Sequence, residues 1–593
     1  MESPSVTPSH GGSFLIEDLA AEELFTPEDF TDEQRHIART ANLFMQNEVV
    51  PHAARIISPD FELSRRLLRK AGDLGLLGAE IPEEHGGLGL GKVAGCIVAE
   101  AASHEGSFAV ALVSHTGIGT VPIVYFGTEE QKRRYLPKLS SGEWVGSYSL
   151  SETSSASDAM NAKARATLSP DGRRYVLNGE KMWLTNAAIA DIYITFAKVD
   201  GEHFSAFIID KGTPGVSLGP EERKTGIRGS STRSLILADA SVPRENLLGP
   251  IGKGHKVAFN TLNLGRFKLG AGVTGGAKLS LRAAVEFARA RTAFGRPLTD
   301  FGLIRHKLGE MAILAYAAES MVYRTAAAID RGLAALPKGE AQQAVGRIEE
   351  HDVECSIVKV WCSEMLDTVV DETVQIFGGS GYVEDYPAER HWRDARVNRI
   401  FEGTNEINRL LIPGRLIKRA IKGELPIFRR AMALLDELVG GPSAPAPLDG
   451  FLAAEGRMLT GAKKVALMAL GLAVQRLGQS LSEEQEVLGH FADIAMEAYA
   501  LESALLRAQK KAGRVGAAAC RVEDAAVRCF AQDAMDRLEA SARRLLAAVE
   551  QGDGLRTALA ALRRFTKREI ENTVALRRIV AQAAVERGGF PFA

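Results

Sequence analysis

The stretch RDARVNRIFEGTNEINRLL, residues 393–411, carries the residue types best suited to proton chemistry. Alternating charges at Arg393, Asp394, Arg396 and Arg399 lead to Ile400 and Phe401, then to one carboxylate, Glu402, followed by Gly403, Thr404 and Asn405. Glycine after an apolar-periodic segment marks a helix stop, and Thr or Asn before a new periodic run marks an N-cap. Glu402 is therefore expected at a helix end, on a loop that can aim it into a pocket. In a dry pocket beside an aromatic ring its pKa would rise, which suits a general base working near neutral pH. Read alone, Glu402 fits better a solvated carboxylate at a helix terminus.

Two other stretches imitate phosphate loops. GGLGLGKV, Gly86 to Val93, has the glycines and lysine of a P-loop. It ends in Val93 where a Mg-binding hydroxyl is needed, and no strand pattern precedes it. GAGVTG, Gly270 to Gly275, matches GxGxxG, but NTLNLGRFKL before it is not strand-like, so it reads as close helix packing. The 12 histidines include no HExxH or comparable metal spacing, and no metal is expected. Cys96, Cys355, Cys362, Cys520 and Cys529 form no CxxC pair and read as buried thiols in a reducing compartment.

Those residues must be positioned by several domains, since the chain has 593 residues. A net charge of −2 gives no global field favouring nucleic acid, and no nucleic-acid partner is expected. The N-terminus lacks a basic region followed by an apolar core, and no apolar run looks long enough to span a bilayer. The bacterial cytoplasm is the simplest address. Residues 1–28 read as a flexible arm and 29–146 as a helical domain opened by a Thr31/Gln34 capping box. Strand-like runs (VGSYSLS, RRYVLNG, DIYITFAKV, FSAFIID, SLILADASV) separated by DG, NG and KGTPG turns define a middle β domain, 147–252. Helical spacing returns over 253–422, where Leu303, Ile304, Leu308, Met311, Leu314 and Ala315 form one face. A Pro/Gly-rich linker at 440–450 falls within a last helical region, 423–593, in which Ser482 and Gln485 have capping-box spacing.

Six further segments recur in a fixed order. They are YSLSETSSASDA (148–159), KMWLTN (181–186), KTGIRGSSTRSL (224–235), RTAFGRPLTDFGLIRHKLGEM (291–311), QIFGGSGY (375–382) and PAERHWRDARVNRIFEGTNEI (387–407). Together they resemble the signatures of the acyl-CoA dehydrogenase family over roughly residues 30–420. The helical tail, NLGRF (263–267) and RIFEGTN are most similar to the very-long-chain branch. The resemblance implies an α+β, mostly α fold: an N-terminal helical domain, a small β-barrel-like middle domain, a four-helix bundle and an added C-terminal helical domain.

It also implies FAD between the β domain and the bundle. Trp183 would supply a flat wall, and the hydroxyls of Ser151 and Thr185 would reach polar ring atoms, with Tyr148, Leu150 and Ser157 alongside. Arg291, Phe294, Gln375 and Gly379 match positions that contact the FAD of a neighbouring subunit, and Thr404 and Glu406 positions near its adenosine. Ser157, Asn263, Arg266, Phe401 and Gly403 match acyl-CoA positions. Glu402 matches the catalytic base; in some relatives the base stands just before the arginine, where this chain has Gly265. Thr153 and Ala156 replace a family Pro and Gly in the flavin loop, while Ala293 and Gly302 replace two glutamines. The implied reaction is α,β-dehydrogenation of a long-chain acyl-CoA in fatty acid β-oxidation, the chain lying over small residues Gly117 and Gly119. Electrons would pass to electron-transfer flavoprotein. An oxidase using oxygen and a scaffold retaining the fold remain alternatives. The tail implies a homodimer. Arg415, Lys418, Arg419, Lys422, Arg429 and Arg430, interleaved with Leu416, Ile417, Ile421, Ile427 and Phe428, fit either weak contact with the inner-membrane surface or apolar docking with solvated charges, Pro413 and Pro426 interrupting the helix.

Overall fold

The computed structural model describes residues 10–337, 341–439 and 449–592; nearly all of the expected linker lies outside them. The chain enters through the helices α1 (Asp32–Phe44), α2 (Phe61–Asp73), α3 (Gly91–Ala102), α4 (Gly106–Ser114) and α5 (Glu129–Ser140). Thr31 and Gln34 cap α1 reciprocally, as their spacing requires.

Eight strands follow: β1 (Gly146–Ser149), β2 (Arg165–Leu168), β3 (Arg174–Thr185), β4 (Ile192–Val199), β5 (His203–Asp210), β6 (Val216–Leu218), β7 (Thr232–Pro243) and β8 (Leu247–Leu248). They run in the order β6-β7-β3-β2-β4-β5-β8, with β1 pairing parallel to β4. β2, β6 and β8 are too short to leave a periodic signal in the sequence. One face buries Ile192, Ile194, Phe196 and Phe204 against Tyr135 and Leu139 of α5. The opposite face buries Tyr175, Leu177, Phe207 and Leu235.

The bundle comprises α6 (Gly254–Ala290), α7 (Gly302–Ala334), α8 (Asp352–Phe377), α9 (Pro387–Ala395) and α10 (Asn405–Ile421). The GxGxxG match lies in mid-helix. A Cβ at Gly270 would strike Val358 of α8, and one at Gly275 would strike the Glu100 carbonyl of α3, so both glycines serve close packing. The last region adds α11 (Ala453–Leu477), α12 (Gln485–Val515), α13 (Arg521–Val549), α14 (Gly552–Phe565) and α15 (Thr573–Arg587). Residues 478–483 form a 3-10 turn and Ser482 bonds the Gln479 carbonyl, so the expected Ser482/Gln485 box does not form. All five cysteines are buried free thiols.

The flexible arm needs correction from Gly11 onward. Gly11 to Leu15 are buried, and Gly12 N donates to Glu354 of α8 at 2.6 Å. Farther along, Lys463 donates to the Glu17 carbonyl at 2.6 Å, Arg507 pairs with Glu28 at 2.6 Å and Lys510 with Asp29 at 2.6 Å. The segment looks polar, but Phe14, Leu15 and Leu24 are core residues and its acceptors are met by buried cations of α11 and α12. Residues 11–29 form a strap across the bundle and the last region.

Two helical stretches, Gly106–Phe126 and Ala453–Glu483, are long and apolar enough to cross a membrane, contrary to expectation; 61% and 67% of their apolar windows are buried inside the protein. Helix α10 runs through Pro413, which is buried, so packing outweighs the lost backbone bond. On the basic segment, Arg415 pairs with Asp352 at 2.7 Å and Arg419 with Glu350 at 3.0 Å, while Leu416 and Ile427 are buried. That arrangement favours apolar docking over membrane contact for this part of the segment.

Candidate active site

A cavity of about 890 Å³ opens where α3, α4 and α6 and the turn before α10 meet the edges of β1 and β3. Glu402 sits on that turn. The preceding 3-10 turn ends at Arg399, Thr404 caps α10 through Ile407 N, and between them Glu402 and Gly403 both adopt left-handed backbone (φ 59° and 80°). For a non-glycine residue this conformation costs about 1–2 kcal/mol. Side chains from three helices hold it. Arg266 Nε of α6 donates to the Glu402 carbonyl at 3.2 Å. Lys359 Nζ of α8 donates to the Gly403 carbonyl and to Asn405 Oδ1, each at 2.7 Å. Asn408 Nδ2 of α10 donates to the carbonyls of Gly403 at 2.8 Å and Thr404 at 3.0 Å.

The Glu402 residue is half-buried overall, but its carboxyl end faces inward and Oε2 is buried without a hydrogen-bond partner. Burial pushes this carboxyl up to about 7, against the opposing positive charges of Arg266 and Lys359. A base with that pKa is largely ionised just above neutrality and still basic enough to take a weakly acidic C–H proton. The carboxyl lies directly over Gly265: a Cβ there would stand 2.6 Å from Oε2 and 2.8 Å from Cδ. A carboxylate at 265 and one at 402 would thus compete for the same space.

In the same cavity, a bulge in the β3–β7 pairing between Lys181 and Leu184 puts Trp183 at φ 61°. The residue is 55% exposed and lines the cavity, so it is not a core tryptophan. Tyr148, Leu150, Ser151, Ser157 and Thr185 line the same cavity, as do Asn263, Arg266, Phe401, Gly403 and Thr404. Tyr148 OH is buried without a partner. Ala156 also lines the cavity and does not take a positive φ, so the loop accommodates alanine in place of glycine. Gly117 lines the cavity with open space around its α-carbon. Gly119 does not: a Cβ there would press on the Gly146 backbone at 2.7 Å, which makes it a packing glycine against β1 rather than a floor.

Five sequence candidates lie elsewhere. Arg291, Phe294, Gln375, Gly379 and Glu406 are all exposed and none lines the cavity. The first four sit near the C-terminal ends of α6 and α8, which meet through a Phe287–Phe377 stack at 4.1 Å. Phe294 is 95% exposed. Sequence reading missed Lys359 and Asn408, which carry no motif of their own. It also missed Glu105, which caps α4 through Phe108 N at 2.6 Å, leaves Oε1 unpartnered, and is pushed by burial up to about 7.

Four family models match the chain: acyl-CoA dehydrogenase N-terminal domain over residues 31–143, middle domain over 147–240, and two C-terminal domain models over 252–417 and 461–564. A probable acyl-CoA dehydrogenase of Bacillus subtilis (strain 168) is 48% identical over 580 residues, 97% of each chain. The human mitochondrial very long-chain specific acyl-CoA dehydrogenase is 39% identical over 350 residues, 57% of this chain and 51% of that protein. A solved acyl-CoA dehydrogenase complexed with FAD, from Bacillus anthracis, matches with a TM-score of 0.97 and 47% identity, over 98% of this chain and 100% of that one.

Proposed function

The chain belongs to the acyl-CoA dehydrogenase family, and from that premise we propose that Glu402 takes the α-proton of a fatty acyl-CoA thioester in an FAD-dependent α,β-dehydrogenation. The observation that carries this reading is the inward-facing, unpartnered Glu402 carboxyl, pushed by burial up to about 7, in a cavity that Trp183 also lines.

FAD is the family's cofactor, and the cleft fits a flat ring system. Trp183 offers an aromatic wall, Ser151 and Thr185 offer hydroxyls, and Tyr148 OH is a buried polar atom still without a partner. Bound there, FAD supplies the two-electron acceptor for the β-hydrogen. The rest falls to the chain's own groups. Water exclusion raises the Glu402 carboxyl, and the left-handed turn fixes its direction. We assign the Glu402 backbone N–H as a donor to the thioester oxygen, where charge develops as the α-proton leaves. Arg266 gives the acyl-CoA side of the cavity a buried positive charge.

We assign a long acyl chain. The cavity follows one face of α6 from Leu262 to Ser280, a span of about 27 Å at 1.5 Å per residue. Gly272 and Gly276 keep that face low, and Gly117 adds room. Each buried methylene contributes about 0.8 kcal/mol, so preference should climb steeply with length. The experiment is anaerobic bleaching of the bound flavin by an acyl-CoA series. Palmitoyl-CoA is expected to bleach it at far lower concentration than butyryl-CoA. Equal response to both would refute the long chain, and no bleaching by any acyl-CoA would refute the dehydrogenase reading in favour of a scaffold. We further propose electron-transfer flavoprotein as acceptor, supported by the exposed Trp183 rim, and a role in fatty acid β-oxidation in the cytoplasm, supported by five unpaired thiols. Faster reoxidation by oxygen than by that flavoprotein would make the enzyme an oxidase.

The exposed group Arg291, Phe294, Gln375 and Gly379 supports a homodimer in which each copy closes over the other's FAD. The last region packs on α7, where Arg324 pairs with Glu502 of α12 at 2.5 Å, and so covers a face that a tetramer would use. Arg291→Ala is expected to lose FAD on dialysis, because a guanidinium facing pyrophosphate makes charge-assisted bonds. Unchanged FAD occupancy, or a monomer by light scattering, would contradict the assignment.

A further inference from the structure

The turn that carries Glu402 is held from three directions, and Lys359 differs from the other two holders. Arg266 lines the cavity, and Asn408 belongs to the helix that begins in the turn. Lys359 comes from α8, behind the turn, with its side chain fully buried and outside the cavity wall. Its ammonium bonds two neutral acceptors, the Gly403 carbonyl and Asn405 Oδ1. Burying an ammonium in such surroundings is costly, and a neutral donor would hold two acceptors at less expense. Hydrogen bonding alone therefore does not explain why a cation stands there. Its charge acts on one residue above all others, Glu402.

We propose that Lys359 is a positioning residue for the dehydrogenation: its ammonium clamps the Glu402–Asn405 turn and supplies, from outside the substrate cavity, the positive charge that favours the ionised base. The proposal rests on Glu402 being that base. The charged and titratable groups around the pair are few. Glu402 faces Arg266 from α6, Lys359 from α8 and Tyr148 from β1; Lys359 also feels Glu406 of α10, Glu364 of its own helix and Arg266. Burial brings Lys359 down to about 7, so its charge fades as pH rises through that range, while Arg266 stays charged. One limb results: activity rises as Glu402 ionises, with an apparent midpoint that belongs to the pair, and holds at higher pH because the neutral amine still donates to both oxygens.

The test is the limiting rate of flavin bleaching by saturating acyl-CoA, measured from pH 5.5 to 9.5 on the FAD-loaded wild type, Lys359→Met, Lys359→Arg and Glu402→Gln, with melting temperature and substrate affinity recorded for each. Lys359→Met is expected to keep FAD and bind acyl-CoA within about threefold, since Lys359 touches neither, while its limiting rate falls by about tenfold to a hundredfold through misplacement of the base. Its acid midpoint should move to higher pH by roughly half a unit or more, because a cation that favoured the ionised base is gone. Lys359→Arg, permanently charged, should recover much of the rate and return the acid midpoint to that of wild type or below. An unmoved acid midpoint in Lys359→Met overturns the proposal whatever happens to the rate. If that variant does not hold FAD, an acid midpoint of Lys359→Arg above that of wild type overturns it instead. Near-wild-type bleaching by Glu402→Gln would overturn the assignment of the base; an inert Glu402→Gln with an unmoved midpoint would overturn only the role of Lys359.

Discussion

Replacing Glu402 by Gln is expected to leave a folded, yellow protein whose dehydrogenation rate has fallen by about 10²- to 10⁴-fold. The two side chains have nearly the same volume, so the fit over Gly265 and the left-handed turn are retained. Only the ability to accept a proton is lost. Stability supplies a second readout with a definite sign. The native carboxyl titrates at about 7 instead of its ordinary 4.5. A raised carboxyl favours the folded state fully below its unfolded pKa and loses that contribution as pH rises through the folded value. Glutamine has no proton to lose. The variant's melting temperature should therefore gain on wild type between pH 5 and pH 8. Activity within a few-fold of wild type, or a melting-temperature difference that does not change with pH, would remove Glu402 from its assigned role.

The second large effect is expected at a residue with no side chain. Gly265→Ala places a methyl carbon where Oε2 of Glu402 now stands 2.6 Å away. The obstructed atom is the end of a flexible side chain, so the carboxyl can swing aside at little cost in stability. Alanine also favours a helix over glycine by about 1 kcal/mol, which leaves the melting temperature level or raised. The reacting geometry does not survive so easily, because an ångström of displacement at a base costs on the order of a hundredfold. A stable, FAD-loaded Gly265→Ala with strongly reduced turnover is the expected result. Turnover within threefold of wild type would mean that the carboxyl is not confined by α6.

Much of this site was legible before any coordinates. The alternation of stops and caps around Glu402 placed it on a turn, and the turn is there because Gly403 tolerates φ 80° and Thr404 accepts from Ile407 N. Trp183, Ser151 and Arg266 were legible as parts of an ordered set of segments, not singly. Lys359 was not legible: a lysine in an apolar helix face gives no hint that a carbonyl 44 residues away will meet it. Gly119 was misplaced because small residues that make room and small residues that permit contact have the same composition. The strap was misread for a related reason. Its polar residues look solvated until the buried cations of distant helices are known.

That strap also fixes an order of events. Residues 11–29 leave the ribosome long before the groups that hold them: Lys463 is 446 residues from Glu17, and Arg507 is 479 from Glu28. Until α11 and α12 are synthesised, Phe14, Leu15 and Leu24 have only part of their final surroundings. Buried Glu319, which pairs with Lys278, still lacks the Arg507 guanidinium that completes its pairing. Contacts of such long range are slow to form and leave apolar surface open in the meantime. The dehydrogenase portion is therefore sealed late in translation, when chain made last closes over chain made first.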